Sequence, residues 1–390
     1  MSQTKLIFAS DFAPIRQYAD IMRDTPERVY GNLLDVLRSA DYRIVNLEAP
    51  LYTGEKYIIK SGASFSGNPE HIGALLAGGF QTAIGANNHA FDSDVEGFRK
   101  TRQLLLENGI AYVGAGDNIE EARKPQVIDI NGLKILLLTL SEAEDMRGAT
   151  ENTPGVRPWE PEVLAEQIRE AKGKYNAIIV SAHCGLEYQP YPSFYVYETY
   201  RMLAEAGADI IIGHHPHVPQ GMALFGKCPA YFSLGNFAFF QGSILYYRKL
   251  GYMLEMQIDE SGIVSHRPVP YKLRDEGLSL LDDEEKADFN KAMERMSAPL
   301  KSEDTARQAW YAVLSHHGIA GFCEEFERIT RVLKENPPRG AAMARNRTCC
   351  MQHLTQWVDG MNRIIDGVLD DVPAEYLEFV NEYFERGVEK

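Results

Sequence analysis

Five short apolar runs in this 390-residue chain are each followed at once by side chains able to hold a metal ion. Asp11 follows the run at 6–9, Glu48 follows 43–47, and Asn87-Asn88-His89 follows 82–86. His183 follows 178–182, and His214-His215-Pro216-His217 follows 209–213. Polar residues at strand ends are where an α/β sheet gathers its functional loops. Imidazole nitrogens, carboxylate oxygens and an amide oxygen suit borderline or hard cations such as Zn, Mn or Fe better than a thiolate site would. Two such ions roughly 3.5–4 Å apart can share a bridging hydroxide, clamp an anionic substrate and stabilise the attacking and leaving oxygens. Glu48 or Asp11 is the candidate bridge. His89, beside Asn88, is the candidate group for protonating a leaving group or stabilising an oxyanion.

Taken singly, most of these residues have plainer explanations. Asp11 fits a helix cap or turn, Glu48 a solvated strand end, and Asn87-Asn88 a turn with one Asn in the left-handed region. His183, next to Cys184, fits a hydrogen-bonded core histidine. Three imidazoles within four residues are poor core material, however, and five such strand ends together favour a site. Asn236, in Ser233-Leu234-Gly235-Asn236-Phe237, stands at a further strand end and suits a loop or substrate contact as well as a structural turn. Arg328, Arg331, Lys334, Arg339, Arg345 and Arg347 form a basic cluster that reads as a solvated helix face, with an anion clamp as the alternative. Tyr188, Tyr191, Phe194, Tyr195, Tyr197 and Tyr200 read as packing. No Walker loop and no GxGxxG after a strand is present, which removes two common nucleotide signatures.

The elements that must position these groups follow from periodicity. Short Ile-, Val- and Leu-rich runs predict strands over 6–9, 42–47, 81–85, 126–130, 134–140, 177–182, 209–213, 231–234, 252–258 and 263–270. Helical patterns over 27–40, 69–77, 94–108, 160–172 and 194–206 fall between them, giving an α/β chain. Asn131-Gly132 predicts a hairpin, so the sheet cannot be purely parallel, and 259–262 predicts another. Beyond 272 the texture becomes acidic and amphipathic, with helices expected over 282–296, 304–316 and 373–386 and a break at Pro337-Pro338-Arg339-Gly340. The expected organisation is a domain over 1–272 and a helical C-terminal extension over 273–390.

Bulk properties narrow the partners. A net charge of −15 opposes a generic nucleic-acid or anionic-membrane footprint. No apolar run approaches the ~20 residues that span a bilayer, so no membrane anchor is expected and the reading is cytoplasmic. Five cysteines without framework spacing are expected as reduced thiols.

The ordered set Asn46-Leu47-Glu48, Ala86-Asn87-Asn88-His89 with Asp92, His183-Cys184-Gly185 with Glu187, Gly213-His214-His215-Pro216-His217-Val218, and Ser233-Leu234-Gly235-Asn236-Phe237 resembles the CapA family of poly-γ-glutamate capsule proteins. The resemblance spans about residues 5–271. It implies a divergent calcineurin-like metallophosphoesterase: a four-layer α/β/β/α sandwich with two mixed sheets and a site for two divalent metal ions. It makes Asp11, Glu48, Asn88, His183, His215 and His217 the candidate metal ligands and His89 the candidate catalytic histidine, with the division of labour between His214 and His215 open. Asn87, His214 and Asn236 are the candidate substrate-binding residues. Ser10-Asp11-Phe12 stands where the family has Gly-Asp, and Cys184 where an aromatic is common. The implied function is a metal-dependent hydrolase acting on a phosphoester or an amide or γ-glutamyl-type bond through a metal-bound hydroxide, with an anionic small molecule or polymer as substrate. The alternative is a non-catalytic accessory or polyanion-binding protein of capsule biosynthesis.

Overall fold

The computed structural model describes residues 3–387. Its first sheet runs in the order Gly277–Leu280, Gly262–Arg274, Leu250–Asp259, Thr4–Ala13, Tyr42–Leu47, Thr82–Ile84, Ala111–Val113, with Asn236–Phe239 beside the far end of Thr4–Ala13. The second runs Met222–Phe225, Cys228–Tyr231, Ile210–His214, Ala177–His183, Leu133–Ser141, Gln126–Ile130. Both mix parallel and antiparallel neighbours, the second through the Asn131-Gly132 hairpin, where Asn131 and Gly132 take φ of 51° and 81°.

Side-chain alternation along Thr4–Ala13 shows how the layers stack. Ile7 and Ala9 face a core shared with the helical segment 17–38 and with Ile72–Gly78, whereas Leu6 and Phe8 join a core that contains the second sheet. Helices Pro161–Ala171 and Phe194–Ala206 cover the second sheet's other face through Leu164, Ile168, Tyr200 and Leu203. The result is the expected four-layer α/β/β/α sandwich. A strand buried on both faces is apolar throughout, which is why these runs show little alternation in sequence.

Three expectations change. The helix expected over 27–40 is a 3-10 segment, Pro26–Leu33, followed by Leu34–Arg38, because Gly31 turns to φ 49° where the strand Gly277–Leu280 comes close. A Cβ on Gly31 would lie 2.1 Å from the Leu278 carbonyl oxygen. The strand expected over 231–234 is instead the crossing between sheets: Cys228–Tyr231 belongs to the second sheet and Asn236–Phe239 to the first, with Gly235 at φ 75° between them. Pairing in the first sheet also continues to Leu280, past residue 272.

From Asp283 to Glu385 the chain is built of helices and short connections. The segment expected over 304–316 extends as Glu303–Glu335, interrupted at Gly318. The predicted break falls one residue early, at Asn336, whose side-chain oxygen accepts from Arg339 N. The two prolines then open the helix Pro337–Cys349, where their missing N–H groups cost no intrahelical bond. Trp310, Val313, Phe379 and Tyr383 lie in the same buried cluster as the second sheet, so these helices share the sandwich's core. Among the described residues no helix is long and apolar enough to cross a membrane, and all five cysteines are free thiols.

Candidate metal centre

Asp11 reaches the interior through a backbone irregularity. Phe8 pairs with Ile44 but Asp11 pairs with Asn46, so one extra residue is accommodated between them. Such a bulge re-aims side chains. Here it lets both Ser10 and Asp11 meet His214, whose Nδ1 lies 3.2 Å from Ser10 Oγ and 3.3 Å from Asp11 Oδ1. Asn46 Nδ2 donates to Asp11 Oδ1 at 2.8 Å.

Glu48, one residue past its strand, is fully buried, and neither of its carboxylate oxygens has a hydrogen-bond partner. Its Oε1 lies 3.4 Å from His183 Nε2 and 3.6 Å from His217 Nε2. His183 Nε2 is also 3.0 Å from Asn88 Oδ1 and 3.1 Å from His215 Nδ1. The ligand atoms therefore form overlapping triads within 4.8 Å: Asp11, Glu48, His217; Glu48, His183, His215; and Glu187, His215, His217. Glu48 is common to the first two.

The charges of this cluster explain one another. Burial, and then Asp11, push the Glu48 carboxyl well above the usual carboxylate range. Burial works the same way on Asp11, but His214 and His217 outweigh it and hold Asp11 well below that range. His217 is opposed by burial yet raised well above the usual imidazole range by Glu48 and Asp11. A buried carboxylate with no donors, flanked by imidazoles, is costly unless a cation is shared among them. The donor set fits divalent cations on that ground.

His215 and His217 adopt φ of 96° and 57°. Left-handed backbone at a non-glycine residue costs of order 1–3 kcal/mol and persists where the surroundings enforce it. His217 Nδ1 donates to Asn236 Oδ1 at 2.9 Å, leaving Nε2 toward Glu48. His215 Nε2 lies 3.2 Å from Gln352 Oε1 and 3.3 Å from Glu144 Oε1, leaving Nδ1 toward His183. Burial would raise Glu144, but His215, His353 and Lys60 hold it at about 2.

A cavity of about 260 Å³ opens on this cluster, lined by Asn88, His89 and His217 from the sandwich. His89 Nδ1 contacts Asp92 Oδ2 at 2.6 Å, and Asp92 Oδ1 takes Lys60 Nζ at 2.8 Å. With Nδ1 held, Nε2 is the atom left for a substrate. Asn87, His214 and Asn236, the expected substrate contacts, stand one layer behind the residues that line this cavity. Asn87 ties Asn46 and Leu47 to the His89 backbone, His214 lies behind Asp11 against Phe8, and Asn236 holds His217. Glu187, Glu144, Gln352, His353 and Lys60 are additions; only Glu187 lies in a quoted motif.

Removing the Gln352 amide is expected to loosen metal at the His215 position. Second contacts of this kind are worth roughly 10–100-fold in metal affinity. Competition with a chromophoric chelator on Gln352→Ala would show it, and unchanged affinity would mean Gln352 only packs there. A second expectation concerns pH. Burial, and then Arg347, depress His353 to about 4. Between the ordinary imidazole value near 6.5 and about 4, the unfolded chain takes up a proton the folded chain refuses, so stability falls as pH drops through that window. The slope is at most about 1.4 kcal/mol per pH unit. Urea unfolding at pH 7, 6 and 5 should show this decline in the parent protein and a shallower one in His353→Gln.

The arrangement defines a class: a two-sheet α/β sandwich with a buried histidine and carboxylate cluster at its strand ends, suited to divalent cations. The chain belongs to the bacterial capsule synthesis protein PGA_cap family, whose model matches residues 5–241. It is 33% identical over 219 residues to the PGA biosynthesis protein CapA of Bacillus subtilis (strain 168), covering 55% of this chain and 58% of that one. It is 30% identical over 262 residues to the capsule biosynthesis protein CapA of Bacillus anthracis, covering 65% and 60%. The chain thus spans less than two thirds of the length of these curated relatives. Among solved structures, the 5'-nucleotidase precursor of Thermus thermophilus superposes with a TM-score of 0.43 at 14% identity, over 77% of this chain and 59% of that one, too loosely to bear on function.

Proposed function

We propose that this protein is a metal-dependent hydrolase of the metallophosphoesterase type, acting on a phosphoester or on an amide or γ-glutamyl-type bond of an anionic substrate. One observation carries the reading: Glu48, buried with both oxygens unpartnered, lies between His183 and His217. We assign Asp11, Glu48, Asn88, His183, His215 and His217 as metal ligands, with Glu187 at the rim. Bound ions would polarise the bond and activate water, chemistry that serves phosphorus and carbonyl centres alike. The chain's own residues do the rest. Asn46 orients Asp11, Asn236 fixes the ring of His217, and Asp92 holds His89 so that Nε2 can pass a proton to the leaving group.

The relatives' names speak of biosynthesis, which favours a second reading: an accessory protein that binds a polyanion without cleaving it. Five free thiols suit the cytoplasm as the working compartment for either. Hydrolysis of a phosphomonoester, a phosphodiester and a γ-linked glutamate oligomer, before and after chelation and with Mn or Zn restored, separates the two. Chelator-sensitive turnover that returns with metal supports the hydrolase. Metal binding with no turnover on any of the three would move the assignment to the accessory role.

A further inference from the structure

The cavity's outer wall comes from residues beyond the segment that the family model matches. Arg328 on Glu303–Glu335, Arg347 on Pro337–Cys349 and His353 on Met351–Ile365 all line it. The helices that carry them are fastened to the site. Asn346 Nδ2 donates to Ser61 Oγ at 3.0 Å and to Glu144 Oε2 at 3.2 Å, and Arg345 Nη2 donates to the Asp145 carbonyl at 3.3 Å. Gln352 adds its contact to His215. The basic cluster read from sequence as a solvated face therefore divides: Arg328 and Arg347 face the cavity, while Arg331 and Lys334 line a separate surface groove.

The charge at this wall runs against that of the chain. In a protein of net charge −15, the cavity is lined by Arg16, Lys60, Arg328 and Arg347 against the carboxylates of Glu144 and Glu187. Lys60 is matched by Asp92 and Arg347 by Glu325. Arg16 Nη1 meets a neutral acceptor, the Phe240 carbonyl, at 3.1 Å, and Arg328 has no ion-pair partner among the described residues. Positive groups concentrated in a cleft raise the local concentration of anions. A guanidinium fork recognises a carboxylate or a phosphate in two hydrogen bonds.

We infer that the C-terminal helices complete a second anion subsite, built by Arg328 with Arg16 across the cavity, that takes a carboxylate or phosphate of the substrate remote from the bond under attack. The inference rests on the reading of this cavity as the substrate site. It gives the substrate an anionic group separate from the bond under attack and places its selection in the helices, with the chemistry left to the sandwich.

Binding to the chelated full-length protein tests this apart from turnover. Inorganic phosphate and a γ-linked glutamate trimer are titrated calorimetrically into the parent, Arg328→Ala and Arg328→Lys. Arg328 is exposed, so neither substitution disturbs the core. Loss of a charge-assisted contact should weaken binding about tenfold in Arg328→Ala, with partial recovery in Arg328→Lys. A larger loss for the trimer identifies a carboxylate ligand, and a larger loss for phosphate identifies a phosphoryl ligand. Equal binding by all three proteins, or none by the parent, would overturn the subsite. Absence of metal or turnover would overturn the hydrolase reading while leaving these titrations to stand on their own.

Discussion

Glu48→Gln is expected to remove metal binding and yet make the chelated protein more stable than its equally chelated parent. The two effects share one cause. Glu48 is buried beside Asp11 without a hydrogen-bond donor, so in the absence of a cation its charge is desolvated and repelled by Asp11, with only His217 to offset it. An unsatisfied buried polar group costs about 1–3 kcal/mol, and an ionised one more. The amide of Gln carries no charge and can donate toward the flanking imidazoles. Differential scanning calorimetry should therefore show a gain of a few degrees for the chelated variant. The sign with pH follows from the raised pKa. Below the usual carboxylate range Glu48 is protonated whether folded or unfolded, and the variants should differ little. Above it the unfolded parent releases the proton first, so the parent loses stability as pH rises and the gap to Glu48→Gln widens. With metal restored the order reverses, because only the parent can bridge the ions. A variant that kept both metals, or that was less stable when chelated, would show that Glu48 is not the shared ligand.

The second large effect is on turnover. His89→Ala should lower kcat by roughly 10²–10⁴-fold, the usual contribution of a positioned acid or base. Metal content should not change, since His89 belongs to none of the ligand triads. Burial lowers the His89 pKa below the usual imidazole value, Asp92 pulls it back up, and Lys60 lowers it again. An acid of lowered pKa loses its proton early, so kcat should fall on the alkaline side from below neutrality, and that limb should be absent in His89→Ala. Asp92→Asn should shift the same limb to lower pH by removing the carboxylate that favours the charged ring. Normal turnover in His89→Ala would end the assignment.

The ligands proposed for the centre were legible because each stands within a few residues of a recognisable apolar run. Glu48, His183 and His217 need no knowledge of tertiary contacts to be noticed. Their second contacts do. Gln352 meets His215 across 137 residues of chain, and nothing in the helical pattern around it marks it out. Arg328 and Arg347 show the same limit: amphipathic periodicity identifies helices but not the cavity they cover. Asn87, His214 and Asn236 show a further limit. A strand end supplies both the residues that face a cavity and the polar residues one layer behind that hold them, and spacing alone does not separate the two. In the fold, most strands buried on both faces were found to within two residues of their ends, but the run at 6–9 extends as Thr4–Ala13 because the polar Ser10 and Asp11 interrupt its apolar pattern. The short strands Ala111–Val113, Met222–Phe225 and Asn236–Phe239, too brief to show a period, were not found.

Asp11, Glu48, Asn88, His183, His215 and His217 are the proposed metal ligands. Elemental analysis of the purified full-length protein, repeated after chelation and reconstitution with Mn or Zn, tests this assignment most directly. About two divalent ions per chain, lost on chelation and regained on reconstitution, are expected of a bridged pair. No metal in the purified protein and none taken up on reconstitution would contradict the assignment.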